Sequence, residues 1–211
     1  MNVLHIIPSV RDYFKDIRTT AMHIVERERI YGINSEAYTL QYGTVGRKEQ
    51  DEVSKEAPGM RFAGLFSGSY VIGELESADV IHLHAPFLGL AGDLIAWKKK
   101  SIKPLLISFY RDVPIIDVFS FLLYFYNRIY LARLLKLCDR VVVQSKDVYR
   151  KNASFFPLIV AKKTLILNEE IEELKAHNIH LTLGANKLKL TDEDVEAAAY
   201  ISIYNQLTNL S

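Results

Sequence analysis

A single cysteine, Cys138, occurs in 211 residues. No intrachain disulfide can form, and a reducing compartment is the expected setting. Uncharged apolar runs fall short of the roughly 20 residues that span a bilayer. The opening Met-Asn-Val-Leu-His-Ile-Ile-Pro lacks the basic start, long apolar middle and small-residue cleavage site of a signal peptide. Charge of one sign is missing too: Lys and Arg number 26 against 25 Asp and Glu. That balance gives no electrostatic footprint for nucleic acid and no acidic tail. Internal repeats and low-complexity segments are absent. So is a nucleotide fingerprint, since Gly89-Leu-Ala-Gly92 fits neither G-x-G-x-x-G nor a P-loop. With 49% hydrophobic and 24% charged residues, the composition is ordinary for a soluble globular protein. Together with the lone cysteine and the missing signal pattern, it makes a cytoplasmic location the expectation.

What is present alternates. Val3–Ile7 is a short apolar run ended by Pro8, and helical spacing follows over Ile17–Tyr31. There Ile17, Ala21, Ile24 and Val25 form the apolar stripe, with Arg27, Glu28 and Arg29 assigned away from it. Gly32 stands where a helix terminates in the left-handed region. Glu36–Gln41 fits a second strand, and Tyr42–Pro58 a long surface loop. Strands are predicted at Val80–Leu83, Pro104–Phe109, Arg140–Val143 and Thr164–Leu167. Helices are predicted at Leu88–Trp97, Ile116–Leu137, from Ser145 to about Asn152, and from about Glu169 to Lys175. This order implies an α/β, Rossmann-like, doubly wound and mainly parallel sheet with helices on both faces. Leu181–Leu190 could form a hairpin. Thr191 with Asp194 makes a capping box for a helix over Asp192–Leu207.

Two histidines interrupt the end of the run Asp79-Val-Ile-His-Leu-His-Ala-Pro86. His82 and His84 are two apart and share one face of the strand. Doubly wound sheets bind ligands beyond the carboxyl ends of their strands. Polar groups leave the strands at that end in three places: His84, Tyr110-Arg111-Asp112 and Ser145. One shared crevice is therefore expected. The alternatives are core histidines satisfied by internal partners, or a zinc site. His5, His23, His177 and His180 form no second cluster with carboxylates or cysteine at familiar spacing, so no metal is assigned.

At these residues the chain resembles the N-terminal domain of a family-4 retaining glycosyltransferase of GT-B architecture. Met1–Pro8 is similar to that family's opening strand, and Ile24–Gly32 to its first helix and following glycine. Ala78–His84 carries its D-V-I-H-x-H, Lys103–Asp112 resembles K-P-x-V-x-T-x-H-x-D, and Cys138–Ser145 resembles A-D-R-V-x-x-x-S. The resemblance covers about residues 1–170. It implies an acceptor-facing domain in which Asp112, Tyr110 and His84 stand at catalytic positions, and Ser9, Arg11, His82, Pro86, Arg111 and Ser145 line the substrate cleft. It implies a nucleotide sugar as co-substrate, and no other cofactor, where a donor-binding domain or subunit is supplied. A sugar or lipid-linked molecule would be the acceptor.

The chain departs from that pattern in four ways. The first loop, Ser9–Ile17, has no glycine to let backbone approach a ligand. Tyr110 stands where the family has histidine. Leu165-Ile-Leu-Asn-Glu169 resembles the I-P-N-G of the domain junction with Glu169 in place of glycine. After Asn168 the donor-binding half has no counterpart, yet Asp194–Leu207 resembles the terminal helix that crosses back in GT-B enzymes. The expected organisation is therefore a Rossmann-like domain over 1–190 and a helix over 191–211 packing back onto it. Two functions stay open: half of a split sugar-transfer enzyme, or a catalytically inactive module that binds a glycan or a lipid-linked sugar. Separately, the aromatic stretch 113–137 is charge-free from Val118 to Asn127 and suits core packing, a partner or peripheral membrane contact.

Overall fold

A computed structural model describes residues 1–8, 13–40, 60–63, 68–176 and 191–209. Its centre is a seven-stranded sheet in the order β3-β2-β1-β4-β5-β6-β7. The strands are β1 (Asn2–Ile7), β2 (Asn34–Leu40), β3 (Met60–Ala63), β4 (Val80–Ala85), β5 (Leu105–Phe109), β6 (Arg140–Val143) and β7 (Thr164–Ile166). Every neighbouring pair is parallel. The order reverses between β1 and β4, and at such a switch point the connections leave in opposite directions and open a crevice. The fold is Rossmann-like α/β, as the alternation of elements implies.

Burial on both faces explains the continuous apolar strands. All six residues of β4 are buried, and so are all five of β5. Leu4, Ile6, Ile81, Leu83, Leu105, Ile107, Val141 and Val143 pack on one face. Against them lie α2 (Gly68–Ser77), α3 (Ala91–Lys98), α4 (Val118–Tyr126) and α5 (Ala132–Leu137), through Leu75, Leu94, Leu123, Leu134 and Leu135. The other face presents Val3, Val80, Leu106 and Val142. It meets α1 (Lys15–Ile30), α8 (Leu167–Ala176) and α9 (Asp192–Thr208). Two shorter helices, α6 (Lys146–Lys151) and α7 (Leu158–Ala161), lie between β6 and β7.

Local chemistry sets the ends of these elements. Gly32, at φ 79°, follows α1 in the conformation that glycine adopts without steric cost. Ser145 accepts a hydrogen bond from the Val148 amide and caps α6. Thr191 and Asp194 close a reciprocal box at the start of α9, and Asp117 and Ser120 do the same for α4. The single helix expected over Ile116–Leu137 is instead α4 and α5 joined by a π-turn at Asn127–Leu131. That wider turn faces the buried Asn127 inward. Its amide accepts from Phe87 N at 3.1 Å and donates to Phe87 O and Leu123 O at 2.9 Å each. Backbone groups in the loop after β4 are thus satisfied inside the core.

Helix α9 packs along α1 and over the sheet through Ala199, Tyr200, Ile203, Tyr204 and Leu207. The expected loop over Tyr42–Pro58 and hairpin over Leu181–Leu190 lie outside the described residues, as do Ser9 and Arg11. None of the described helices is long and apolar enough to cross a membrane.

Candidate functional site

The face of the sheet beneath α1 and α9 changes character at mid-height. Val3, Val80 and Leu106 form its apolar lower part, and His5, His82 and Ser108 stand one pleat further along. His5 is in register with His82, and His84 with Ser108. Parallel pairing thus gathers residues from three strands into one layer. His5, His82, His84, Ser108 and, from α1, Glu28 are all buried.

Their hydrogen bonds form two branches that meet at the Glu28 carboxylate. In the first, His5 Nε2 donates to Glu28 Oε2 at 2.8 Å, and His84 Nε2 donates to His5 Nδ1 at 3.0 Å. His84 Nδ1 then accepts from the Tyr110 hydroxyl at 2.9 Å. In the second, Tyr204 donates to Glu28 Oε1 at 2.9 Å and accepts from His82 Nδ1 at 2.6 Å. His82 Nε2 accepts from the Ser108 hydroxyl at 2.7 Å, and Ser108 accepts from Tyr200 at 2.9 Å. Ser35, at the start of β2, gives Glu28 Oε2 a further donor.

With Glu28 ionised, this assignment gives each histidine one N–H and one bare nitrogen, and every proton an acceptor. The donor direction follows from the anion, because a carboxylate only accepts. Burial, then the neighbouring imidazoles, hold His82 and His84 well below 6.5, so both are neutral at ordinary pH. Burial also pushes the Tyr110 and Tyr204 hydroxyls well above 10, with the Glu28 charge adding to the shift at Tyr204. These phenols keep their protons and serve as donors.

The nitrogens of His5, His82 and His84 lie within 4.8 Å of one another, a spacing that could hold a metal ion. The donor set argues otherwise. All six ring nitrogens already have protein partners in one consistent proton order. A cation would have to displace bonds that are satisfied in a dry interior.

The expected crevice wall therefore needs correction. His82 and His84 do not face open space; both are fully buried, His82 bonded to Tyr204 of α9 and to Ser108, and His84 to His5 and Tyr110. Pro86 is buried as well, and the Tyr110 hydroxyl points inward to His84. Glu28 was assigned away from the apolar stripe of α1. It lies four residues after Ile24 and seven after Ala21, which places it on that stripe and in the core.

Three of the expected cleft residues do reach the rim at the carboxyl ends of β5 and β6. Arg111 binds both Asp16 carboxylate oxygens at 3.1 Å and Tyr13 O at 2.6 Å, tying the loop after β5 to the start of α1. Asp112 accepts from Val113 N and from Arg128 Nη2, each at 2.8 Å. Arg128 also donates to the exposed Ser154 hydroxyl and lies 4.3 Å above the Phe155 ring. Ser145 is half-buried on the neighbouring strand end. The rim is thus built from Arg111, Asp112, Arg128 and Ser145. Arg128 and Glu28, like His5, Ser108, Tyr200 and Tyr204, were not singled out from the sequence.

No family model matches the sequence, and no curated protein does. Among solved structures, an alpha-glucosyltransferase (AGT) in complex with UDP is similar at a TM-score of 0.53 and 7% identity. The match covers 74% of this chain and 38% of that one, so this chain spans well under half of its length. At that identity the likeness is one of fold. A ribokinase-like superfamily protein from Enterococcus faecalis V583 matches at a TM-score of 0.39, with 17% identity over 82% of this chain and 54% of its own. A hypothetical protein from Streptococcus mutans matches at 0.33, with 8% identity over 98% and 91%. The fold is glycosyltransferase-like.

Proposed function

We propose that this chain is the acceptor-side half of a family-4-like glycosyltransferase of GT-B architecture, which binds a saccharide at the rim formed by Arg111, Asp112, Arg128 and Ser145. The observation that carries this reading is the Asp112–Arg128 pair at the carboxyl end of β5, with side chains 24% and 32% exposed. It sits at the strand ends where folds of this kind hold ligands. A carboxylate beside a planar guanidinium offers an acceptor and fixed donors to neighbouring sugar hydroxyls. The ordered resemblance from Met1 to Ser145 and the glycosyltransferase-like fold point the same way.

Sugar transfer breaks the donor's anomeric C–O bond, and the departing diphosphate needs positive charge or oriented donors. In this reading those groups come from a donor-binding domain outside these 211 residues. A second reading, a catalytically inactive glycan-binding module, is favoured by one specific observation. His84 and the Tyr110 hydroxyl, two of the three residues expected at catalytic positions, are bonded to each other in the interior. Only Asp112 remains at the rim.

The test is an NMR titration of the labelled chain with a panel of neutral oligosaccharides and, separately, with nucleotide sugars. Saturable shifts at Arg111, Asp112, Arg128 and Ser145 with a saccharide alone are expected, lost in Asp112→Ala. Saturable binding of nucleotide sugars with a silent rim would overturn the assignment. Addition of a donor-binding domain then separates the two readings, since only the first predicts turnover.

A further inference from the structure

The helix that follows β5 turns an apolar face outward. Val118, Phe121, Leu122, Phe125 and Ile129 are 79%, 47%, 60%, 47% and 49% exposed. They recur in steps of three and four residues and so occupy one side of α4 and its π-turn. Ser120, Leu123, Asn127 and Leu131 fill the opposite, buried side. Ile115 and Ile116, 55% and 72% exposed, carry the apolar surface back past the cap. From Val118 to Ile129 the exposed stripe contains no polar side chain. A solvated helix would place charges there.

Cations follow directly. Exposed Arg133 and Lys136 continue the same spacing onto α5, four and seven residues after Ile129. A second apolar pair, Leu158 and Ile159, is 75% and 61% exposed. It lies just beyond Ser154 and Phe155, which the Arg128 side chain holds against the end of α4. Exposed Arg150 and Lys151 precede that pair, and Lys162 follows it. Residues 113–163 hold nine Lys and Arg against three Asp, in a chain whose overall charge is +1. The excess of positive charge thus falls in the same stretch of chain as the apolar stripe.

We propose that this face is a peripheral membrane surface that seats on an anionic lipid bilayer. The apolar side chains would lie at the acyl boundary, with Arg133, Lys136, Arg150, Lys151 and Lys162 among the phosphates. A convex helical ridge suits a fluid, shapeless partner, whereas a protein partner would have to supply a matching groove. Apolar residues flanked by cations, with the apolar stripe itself uncharged, are what an interfacial helix requires. Such a helix lies in the surface and need not span it. The inference rests on exposure and charge alone and is independent of the saccharide reading.

The test is co-sedimentation of the full chain with vesicles of phosphatidylcholine alone and of phosphatidylcholine mixed with phosphatidylglycerol, at low and high salt. Partitioning is expected to be at least about tenfold stronger on the anionic vesicles and to weaken with salt. Leu122→Asp with Phe125→Asp should abolish it, and Arg133→Glu with Lys136→Glu should lower it about tenfold or more. Ile116→Asp, outside the helix, is a second apolar variant, and unchanged circular dichroism and melting temperature confirm that each variant is folded. A chain that stays in solution with anionic vesicles overturns the proposal. So does binding unaffected by both apolar variants. A stable dimer that dissociates in Leu122→Asp while lipid binding is absent would make this face a contact between copies.

Discussion

Replacing Glu28 with alanine removes the one acceptor on which both hydrogen-bond branches converge. Three donors reach that carboxylate: His5 Nε2 at 2.8 Å, the Tyr204 hydroxyl at 2.9 Å and the Ser35 hydroxyl. Each buried donor left without a partner costs about 1–3 kcal/mol. The serine hydroxyl can rotate towards another acceptor; the imidazole N–H and the tyrosine, which is fixed by His82, cannot do so freely. A loss of about 3–5 kcal/mol is expected, a large share of the stability of a domain this size. Glu28→Gln retains one carbonyl oxygen but aims an NH2 group at existing donors, and should cost about 1–3 kcal/mol. Glu26→Ala, on the exposed side of the same helix, is the control and should stay within about 0.5 kcal/mol. Urea unfolding followed by circular dichroism measures all three, with an unchanged slope confirming that the native fold is the reference. A Glu28→Ala variant within about 1 kcal/mol of the parent would refute the converging arrangement.

Acid should destabilise the protein earlier than its carboxylates alone would. The folded state holds His82 and His84 well below 6.5, whereas the unfolded chain protonates them near that value. Below pH 6.5 the unfolded state binds more protons, so the stability this pair contributes is present above that pH and is lost as pH falls. Each histidine should forfeit stability on the order of 1 kcal/mol by pH 5.5, which chemical denaturation at pH 7.5 and 5.5 would detect. Stability unchanged across that interval would contradict their burial as neutral rings. Burial pushes the Cys138 thiol up to about 12. A thiol reagent at pH 8 should leave the folded protein unmodified and react only on unfolding, and rapid native labelling would show the α5–β6 junction to be open.

The sheet was legible because parallel strands covered on both faces read as unbroken apolar runs. Val3–Ile7, Val80–Leu83 and Arg140–Val143 needed no tertiary information. The caps at Ser145 and Thr191 were equally local. By contrast, β3 at Met60–Ala63 is a short edge strand, and α2 carries Gly68, Gly73 and β-branched residues that weaken a helical pattern. Neither was assigned from the sequence.

The histidine pair was conspicuous on its strand, yet its environment depends on Tyr204, 122 residues beyond His82. No local pattern signals that a distant helix will close over it. Glu28 did carry a signal, a charge on the apolar stripe of α1, and the spacing from Ala21 and Ile24 would have revealed it. Asp112 follows the end of β5, and its partner Arg128 lies 16 residues on, past the cap and two turns of α4. The Asp112–Arg128 contact joins the loop after β5 to the π-turn after α4, which periodicity does not encode.

Histidine nitrogen NMR tests the central claim most directly, namely that the three imidazoles are internal structure and that ligand chemistry belongs to the rim. Across a titration from pH 8 to the onset of acid unfolding, His82 should remain neutral with its proton on Nδ1, and His84 neutral with its proton on Nε2. Addition of a rim-binding saccharide should leave both unmoved. An intact fold in which His84 titrates near 6.5, or in which its ring nitrogens shift on ligand binding, would place it in an open cleft and contradict the account.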